Sequence, residues 1–324
     1  MTLLNQIRQP VKEEMAMFEK HFRSSMKSKV PLLDLITHYI LRRKGKQMRP
    51  LFVFLTAKML GNIRESTFHA ASLIELLHTA TLIHDDIVDE SYERRGFFSI
   101  NALWQSKVAV LIGDYLLSKG LLLAVDNHEY DLLDIVSEAV REIIEGELLQ
   151  IQKSRKLNIT KEEYFDIIRM KTAALIAACT ASGARSVGAD KTTVEHMKKF
   201  GENVGMAFQI KDDLFDYQKK GIIGKPTGND IKEKKFTLPL IHALENGNPK
   251  AKTYIIKTIK KHNNNGKKIQ EVIDFAVMNK GIEYSILKMN EYKNIALGLI
   301  KEFPDNPAKD SLIALVNYVV LRVK

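Results

Sequence analysis

The chain contains 324 residues, of which 45% are hydrophobic and 27% are charged, and its formal net charge is +10 at pH 7. This length would allow two domains, but no linker rich in proline, glycine or serine divides the chain. We therefore expect one domain over residues 1–324. The single cysteine, Cys179, excludes an internal disulfide framework, and its alanine-rich surroundings indicate a packed helix contact.

The N-terminal segment lacks the features of a secretory signal. It carries Arg8, Lys12, Glu13 and Glu14 and has no apolar core of signal-peptide length. No window of the chain reaches the uninterrupted apolar span that a membrane helix requires. We therefore expect a cytoplasmic protein without a transmembrane segment.

The proline positions and the apolar periodicity predict a stack of long helices. All eight prolines lie at or before Pro50 or at or after Pro226, so residues 51–225 contain none. Apolar residues there recur at helical spacing, and the chain has neither a βαβ alternation nor a G-x-G-x-x-G motif, which argues against a nucleotide-binding fold. In residues 70–89 the apolar positions on one broad face are Leu73, Leu76, Leu77, Ala80 and Ile83.

Two acidic clusters of the same design stand in this helical stretch. Residues 85–89 read Asp-Asp-Ile-Val-Asp, and residues 212–216 read Asp-Asp-Leu-Phe-Asp. In a helix, the first and last aspartates of each cluster share a face, whereas the second points about 100° away. The facing pairs are Asp85 with Asp89 and Asp212 with Asp216, and the second aspartates are Asp86 and Asp213.

Each facing pair presents oxygen atoms to one point, which indicates a bound cation. Like charges at this spacing destabilise a helix by roughly 0.2–0.5 kcal/mol per pair, and more where water is partly excluded. Ligation by oxygen alone favours Mg²⁺ or Mn²⁺ over zinc. A single cluster could equally be a solvated acidic patch or charge at a helix N-terminus, but two clusters flanked by apolar residues favour a metal.

The positive charge is divided between a lysine-rich stretch and residues near the clusters. Residues 250–268 hold many of the lysines, and we interpret them as a solvated loop without chemistry. Other basic residues stand beside the clusters or at expected helix starts, where an anion can use side chains and backbone N–H groups. Each alone is a typical surface charge, but together with two metal clusters they indicate a site for two diphosphates. They are Lys46, Arg49, Arg94, Arg95, Lys171, Lys225 and Lys235.

An ordered set of motifs resembles the trans-polyprenyl diphosphate synthases, the head-to-tail prenyltransferases. Residues 78–90, followed by Arg94-Arg95-Gly96, resemble the first aspartate-rich region of that family. The resemblance runs from about residue 45 to residue 240 and leaves residues 241–324 as C-terminal helices. The other matches, in order, are Gly113-Asp114-Tyr115-Leu116-Leu117, Gly146-Glu147 with Gln150, Lys171-Thr172, Phe208-Gln209, Gly224-Lys225-Pro226, Asp230, Lys235 and Thr237-Leu238-Pro239.

The resemblance implies an all-α fold of the isoprenoid synthase type. About ten or more helices would surround a central cavity, with the two clusters on facing helices near its mouth. It also implies up to three Mg²⁺ ions, for which Mn²⁺ is an alternative. Two ions would be held by Asp85 and Asp89, and the third by Asp212. The aspartates in supporting positions would be Asp86, Asp213 and Asp216.

By the same resemblance, the basic residues bind two different substrates. Thr172 and Gln209 would orient the substrate or stabilise a carbocation through their oxygen dipoles. Without the resemblance, His78 would be an ordinary core histidine. Isopentenyl diphosphate would be bound by Lys46, Arg49, His78 and Arg95. The allylic diphosphate would be bound by Arg94, Lys171, Gln209, Lys225 and Lys235.

Two positions depart from the pattern of the family that the chain resembles. Relatives often carry glycine where this chain has Lys44 and Lys234. We expect both lysines to alter the loop geometry around the diphosphates.

A small residue upstream of the first cluster indicates a long product. Ala80 lies five residues before Asp85, nearly in line with it on the helix. Short-chain members of the resembled family commonly have an aromatic floor at this place, so Ala80 resembles the long-chain branch. Leu76 and Leu77, one turn of about 5.4 Å further back, are alternative limits. Ala80 could also be small because another helix packs there. We expect an octaprenyl product, with hexaprenyl to decaprenyl open.

These observations predict a Mg²⁺-dependent prenyltransferase that extends an allylic diphosphate with isopentenyl diphosphate. A long all-trans product would suit a quinone side chain. The alternatives are a short-chain farnesyl or geranylgeranyl diphosphate synthase and, in a different class, a non-catalytic diphosphate-binding subunit of a heteromeric synthase. A terpene cyclase is disfavoured because the second cluster is rich in aspartate. We expect a homodimer, no nucleic-acid partner, and a transient membrane contact for product release.

Overall fold

The computed structural model describes residues 2–42, 45–94, 96–217 and 228–321, with Arg94 described by its backbone alone. Nearly all of its regular structure is helical, which confirms the all-α prediction. Towards the N-terminus the helices are α1 (Leu3–Ile7), α2 (Lys12–Ser25), α3 (Pro31–Arg42), α4 (Met48–Leu60), α5 (Glu65–Val88), α6 (Ile100–Asp126) and α7 (Tyr130–Lys156), with a 3₁₀ turn at Gln9–Val11. Towards the C-terminus they are α8 (Lys161–Ile168), α9 (Ala174–Ser186), α10 (Lys191–Phe215), α11 (Asn229–Lys232), α12 (Leu238–Asn246), α13 (Pro249–His262), α14 (Gly266–Met278), α15 (Gly281–Lys301) and α16 (Pro307–Leu321), with a π-helical segment at Arg169–Ala173 between α8 and α9.

A short β-hairpin follows α5, which the apolar periodicity does not predict. β1 (Glu93–Arg94) and β2 (Phe97–Phe98) pair in antiparallel orientation. Gly96 lies in the turn with φ of 79°, a conformation that glycine adopts without steric cost. Strands of two residues are too short to show an alternating pattern.

The lysine-rich stretch at residues 250–268 is not a loop. Most of it forms α13, and the remainder begins α14, with residues 263–265 between the two helices. Ile255 and Ile259 bury one side of α13. The interpretation as a solvated loop is therefore wrong, because isoleucines at a spacing of four give this basic segment a buried helical face.

The chain divides into two compact units, each built from segments that are distant in sequence. One comprises residues 1–140, 178–198 and 303–312, and the other comprises residues 141–177, 199–302 and 313–324. Because the chain passes between the units several times, this division does not by itself define two domains. The expectation of a single domain stays a prediction.

The first unit is built around α4, α5 and α6. Residues 50–57 of α4 are all buried. Among the described residues, α5 and α6 form the most extensive helix pair. A Cβ atom on Gly120 of α6 would lie 3.3 Å from the side chain of Leu73, so the two helices approach closely. This contact holds α5, the helix that carries the first acidic cluster.

The structure confirms that Cys179 is a packed helix contact. The residue lies on α9 and is fully buried. Burial raises the pKa of its thiol to about 12. The thiol is therefore protonated at neutral pH and is not a nucleophile.

One helix within the described residues, α6, has the length and composition of a membrane span. Its most apolar 18-residue window has a mean hydropathy of 1.8, and 33% of that window is buried inside the protein. The core helix of a water-soluble protein can meet the same criteria, and α6 packs on α5. Lys107, Asp114 and Lys119 also interrupt its apolar sequence. The expected absence of a transmembrane segment stays a prediction.

The second unit has an apolar core supplied by its C-terminal helices. Leu238 and Leu240 of α12, Ile259 of α13 and Val272 of α14 are completely buried. A Cβ atom on Gly281, the first residue of α15, would lie 2.1 Å from a backbone oxygen of α12. Glycine therefore permits α12 and α15 to pack together.

Candidate active site

The first acidic cluster lies at the C-terminal end of α5. The N–H of Asp89 donates to the carbonyl oxygen of Asp85 at 2.8 Å, so the two residues are one helical turn apart, as their spacing predicts. Asp86 is buried, Asp85 is half-buried and Asp89 is exposed. The facing pair therefore reaches from the protein surface towards its interior.

The second acidic cluster lies at the C-terminal end of α10. Asp212 is half-buried, whereas Asp213 and Asp216 are buried. Neither α5 nor α10, both described throughout, has a basic residue in its last turn. A helix C-terminus carries partial negative charge, which adds to the repulsion among the carboxylates. Charge at a helix N-terminus is therefore the wrong interpretation of the clusters, and both helix ends favour a bound cation.

Close packing of α6 holds the residue that precedes the first cluster. A Cβ atom on Gly113 would lie 2.1 Å from Nε2 of His84, so a larger residue would displace this side chain. The same nitrogen lies 3.6 Å from the carboxylate of Asp114 and 3.4 Å from the carbonyl oxygen of Val110. These contacts fix the last turns of α5 and thus the direction of Asp85.

Asp213 accepts a hydrogen bond on each of its carboxylate oxygens. The hydroxyl of Tyr164 donates to Oδ2 at 2.7 Å, and the amide of Gln209 donates to Oδ1 at 2.8 Å. The hydroxyl of Thr172 donates to Oε1 of Gln209 at 2.8 Å. Asp213 thereby joins α8, α10 and the π-helical segment in one network. Such an arrangement suits a supporting position better than that of a metal ligand.

The second cluster is an environment of crowded negative charge. Burial raises the pKa of Asp213 to about 7, and the hydrogen bonds from Tyr164 and Gln209 oppose the shift. Burial also raises the pKa of Asp230 to about 8, with further contributions from Asp213 and Asp216. A carboxylate oxygen of Asp216 accepts the N–H of Asp230 at 2.7 Å, which joins the end of α10 to α11. Shifts of this kind are typical of functional sites.

Lys171 and Thr172 lie in the π-helical segment, and two glycines bring neighbouring helices against it. A Cβ atom on Gly146 of α7 would lie 3.0 Å from the backbone nitrogen of Lys171. A Cβ atom on Gly205 of α10 would lie 2.5 Å from Cα of the last residue of the segment. Single π turns inside helices are frequent at functional sites. The two glycines thus permit the packing that positions Lys171 and Thr172.

The ammonium group of Lys171 is held by α7. It donates to Oε1 of Gln150 at 2.7 Å and forms an ion pair with Glu147. These partners explain why a glutamate and a glutamine follow Gly146 in the sequence. An anion that entered the site would compete with Glu147 for this charge.

A cavity of about 150 Å³ lies within the second unit, next to this network. It is lined by five residues that the sequence predicts for the site, namely Lys171, Thr172, Gln209, Asp213 and Lys235. Asp230 and Lys234, which the sequence singles out without a binding role, also line it, as do Lys153 and Tyr164, which were not expected there. Helical spacing could have found two of them, because Lys153 follows Gln150 by three residues and Tyr164 precedes Lys171 by seven.

The loop before α12 presents two lysines to this cavity. Lys234 has φ of 59°, in the left-handed region that costs a residue with a side chain roughly 1–2 kcal/mol. The backbone thus keeps a glycine-type conformation where relatives often carry glycine. The N–H of Lys235 donates to the carbonyl oxygen of Asp230 at 2.8 Å, and its ammonium pairs with Glu233 at 2.7 Å.

The residues expected to bind isopentenyl diphosphate lie in the first unit. Lys46 is exposed, and its carbonyl oxygen accepts a hydrogen bond from Arg8. Arg49 lies in the first turn of α4, and His78 is half-buried on α5. Their common role stays a prediction. Arg94 is described only as backbone in β1, and Lys44, Arg95 and Lys225 lie outside the described residues.

The residues expected to set the chain length are all buried on α5. Ala80 is 0% exposed, and Leu76 and Leu77 are 1% and 5% exposed. The side chain of Leu77 lies 3.6 Å from the position of a Cβ atom on Gly120, so it packs against α6. This close packing is compatible with a floor for the product and equally with helix packing around a small residue.

The two aspartate pairs fit the ligand requirements of Mg²⁺. Among the described residues, no three histidine, cysteine, aspartate or glutamate side chains form a group that could hold a metal ion. Mg²⁺ typically binds one or two carboxylates and keeps water or substrate phosphates in its other positions. Pairs of carboxylates at helix ends meet this requirement, whereas a structural zinc site needs four nitrogen or sulfur ligands.

Comparisons with known proteins agree with this geometry. The sequence model of the Polyprenyl synthetase family matches residues 30–276. The octaprenyl diphosphate synthase of Escherichia coli K12 is 32% identical over 320 residues, which cover 98% of this chain and 99% of that protein. The crystal structure of a decaprenyl diphosphate synthase from Rhodobacter capsulatus has a TM-score of 0.93 and 33% identity, with 99% of each chain covered.

A solved structure of a shorter-chain enzyme is also similar. It is a geranylgeranyl pyrophosphate synthase from Bacteroides thetaiotaomicron, with a TM-score of 0.85 and 37% identity. The match covers 99% of this chain and 100% of that one. The chain therefore belongs to the polyprenyl synthetase family and is a trans-polyprenyl diphosphate synthase, a prenyltransferase.

Proposed function

We propose that the enzyme makes a long all-trans polyprenyl diphosphate, with the octaprenyl length favoured, by adding isopentenyl diphosphate to an allylic diphosphate. The observation that carries the chemistry is the position of both acidic clusters at helix C-termini without basic residues. A long product is supported by the small Ala80 and by the octaprenyl and decaprenyl names of two relatives. The similar geranylgeranyl pyrophosphate synthase supports the short-chain alternative.

The metal would be held by the less buried aspartates. The family is generally dependent on Mg²⁺. We infer that two ions are held by Asp85 and Asp89 and a third by Asp212, and that Mn²⁺ can replace them. When bound, the ions supply positive charge that stabilises a departing diphosphate.

The lysines that line the cavity would bind the allylic diphosphate. Lys171 and Lys235 each pair with a glutamate, and the diphosphate would replace that glutamate as the partner. By resemblance, Arg94, Lys225 and Gln209 complete this set. Charges that are fixed in place before the reaction stabilise the negative charge of the transition state without reorganisation.

Thr172 and Gln209 would face the allylic carbon. Cleavage of its C–O bond leaves a delocalised carbocation and a diphosphate. The proton of the Thr172 hydroxyl points to Gln209, so the hydroxyl lone pairs can face the carbocation. Asp213 in turn fixes the amide of Gln209. No protein nucleophile is required for this step.

A second set of basic residues would hold isopentenyl diphosphate. By resemblance they are Lys46, Arg49, His78 and Arg95. The alkene attacks the carbocation and forms the new C–C bond, and the released diphosphate accepts the proton that the product loses. Holding both substrates in place removes an entropic barrier of several kcal/mol, up to about 7–11 kcal/mol in favourable cases.

The experiment that tests this proposal is extension of farnesyl diphosphate by the purified protein with isopentenyl diphosphate and Mg²⁺. Mass spectrometry of the products would show a ladder that ends near the octaprenyl length. A ladder that ends at geranylgeranyl diphosphate would support the short-chain alternative. Absence of Mg²⁺-dependent extension from every allylic primer would contradict the enzyme and support the non-catalytic subunit.

Replacement of Ala80 tests the basis of the chain length. We expect Ala80→Phe to shorten the product, because an aromatic ring at this buried position would block a chain that grows along α5. Ala80→Ser is the matched control and should leave the product length unchanged. If the product of Ala80→Phe has the same length as that of the wild type, Ala80 does not set it.

The assembly is proposed to be a homodimer, which is typical of the family. One face of α6 exposes large apolar residues that a second copy of the chain would cover. Leu111 is 67% and Leu122 is 56% exposed. We also propose a cytoplasmic location and a product that serves as a quinone side chain.

A further inference from the structure

A basic surface on α13 and the start of α14 has no role in the chemistry above. From Asn246 to Gln270 the chain has seven lysines and no aspartate, glutamate or arginine. The opposite side of α13, with Ile255 and Ile259, is buried in the core of the second unit. The helix therefore presents a continuous positive face to solvent.

Three of these lysines form a row along α13. Lys250, Lys257 and Lys261 are exposed and follow one another at spacings of seven and four residues, which places them on one helical face. Eleven residues of helix extend the row over about 16 Å. We call these residues, with their exposed neighbour Lys260, the lysine surface.

The charge of the lysine surface is not compensated by the protein. Among the described residues, none of its four lysines makes an ion pair with a carboxylate. Nearby, Glu271 is already paired with Lys268 at 2.9 Å and accepts the hydroxyl of Tyr254 at 2.6 Å. The lysine surface is thus available to an external anionic partner.

We propose that the lysine surface docks the enzyme onto a membrane that contains anionic phospholipids. Lysines near such a surface attract it without specific geometry, each by about five-fold in affinity. The absence of arginine disfavours nucleic acid, whose bases and phosphates are commonly bound by its bidentate fork. The proposal rests on the proposed function in one respect: a long polyprenyl product partitions into lipid, so docking brings the enzyme to the place where its product leaves.

The test is flotation of the full-length protein, without substrates, with vesicles. One set is phosphatidylcholine alone, and the other also contains phosphatidylglycerol. We expect binding to the anionic vesicles that weakens with added salt. Replacement of Lys257, Lys260 and Lys261 by Gln should weaken this binding at least about ten-fold. The matched control is Lys20→Gln, Lys27→Gln and Lys29→Gln, which removes three exposed charges elsewhere and should leave binding unchanged.

Three outcomes would overturn the proposal. They are no binding of the wild type to anionic vesicles, equal loss of binding in both triple variants, and loss of binding to single-stranded RNA but not to vesicles in the first variant. Extension of farnesyl diphosphate in detergent separates this test from that of the proposed function. No lysine of the lysine surface lines the described cavity, so its variant should extend normally. Vesicle binding by an enzyme that shows no extension would contradict the proposed function alone.

Discussion

At the scale of single residues, the acidic clusters divide their aspartates between two tasks. Asp213 has both carboxylate oxygens engaged by Tyr164 and Gln209. One carboxylate oxygen of Asp216 accepts a hydrogen bond from the N–H of Asp230. Asp212, the remaining member, is half-buried at the same helix end. The two buried aspartates thus stabilise the end of α10, and the less buried Asp212 can reach a cation from there.

Removal of the hydroxyl of Tyr164 tests this division. We expect Tyr164→Phe to lower kcat/KM and Mn²⁺ affinity by about 10–100-fold. Asp213 would lose a hydrogen-bond donor, and the second acidic cluster would lose its fixed orientation. Steady-state kinetics and binding calorimetry of the substrate-free protein measure the two effects. Tyr292→Phe on α15, which removes a hydroxyl that does not line the cavity, should change neither. Unchanged Mn²⁺ affinity in Tyr164→Phe would rule out this positioning role.

The first cluster should affect activity and stability in opposite directions. Replacing Asp85 and Asp89 by Ala should reduce turnover by at least about 10²–10³-fold, because charge stabilisation of the transition state is lost. Without metal, the same variant should be more stable by about 0.3–1 kcal/mol per charge, since two negative charges leave a helix C-terminus. Product assays and denaturant unfolding in EDTA measure these effects.

The control for this prediction is Asp126→Ala at the exposed C-terminal end of α6. It removes a negative charge from the same kind of helix end and should leave turnover unchanged. A double variant at Asp85 and Asp89 that keeps normal turnover would contradict the metal assignment.

At the scale of elements, glycines decide how closely helices approach the site. Gly113 lets α6 pack on His84, and Gly146 and Gly205 let α7 and α10 pack on the π-helical segment. The sequence contains these glycines inside helices, where glycine costs about 1 kcal/mol relative to alanine. The close packing that these glycines permit offsets that cost, and it fixes the positions of His84 and of the π-helical segment.

A methyl group at Gly205 should disturb the π-helical segment. We expect Gly205→Ala to destabilise the protein by about 1–3 kcal/mol, because its Cβ atom would lie 2.5 Å from Cα of Ala173. Displacement of Thr172 should also lower kcat. Denaturant unfolding and product assays measure both changes.

Gly298→Ala on α15 is the matched control, because a Cβ atom there meets nothing within 4 Å. This variant should be as stable as the wild type or more stable by up to about 1 kcal/mol. If both alanine variants behave alike, close approach at Gly205 is not what requires the glycine.

At the scale of the whole molecule, the exposed apolar face of α6 is the proposed dimer interface. We expect Leu111→Asp to convert the proposed dimer to a monomer, because a carboxylate would be buried without a partner in the interface. Light scattering after size exclusion measures the mass. Leu287→Asp on α15, where the leucine is 53% exposed, should leave the dimer intact. A wild-type protein that is already monomeric would contradict the proposal.

The amino-acid sequence alone predicts the helical class, the two aspartate clusters and several of the polar residues that line the cavity. These features follow from local pattern: apolar spacing sets the helices, and carboxylates four residues apart must share a helical face. Lys171, Thr172, Gln209 and Lys235 were all expected, and all line the cavity. The short hairpin was missed because strands of two residues show no alternating pattern, and the helical form of residues 250–262 was missed because the lysines there were interpreted as a solvated loop.

The positions of the clusters on their helices and the side chains that support them depend on tertiary packing. The C-terminal position of each cluster depends on where α5 and α10 end. Tyr164 and Asp213 are hydrogen-bonded although 49 residues separate them in the chain, and Gly205 of α10 lies against Ala173 of the π-helical segment. Contacts of this kind depend on how helices pack against each other, and the periodicity of one helix does not encode the residues of its neighbour.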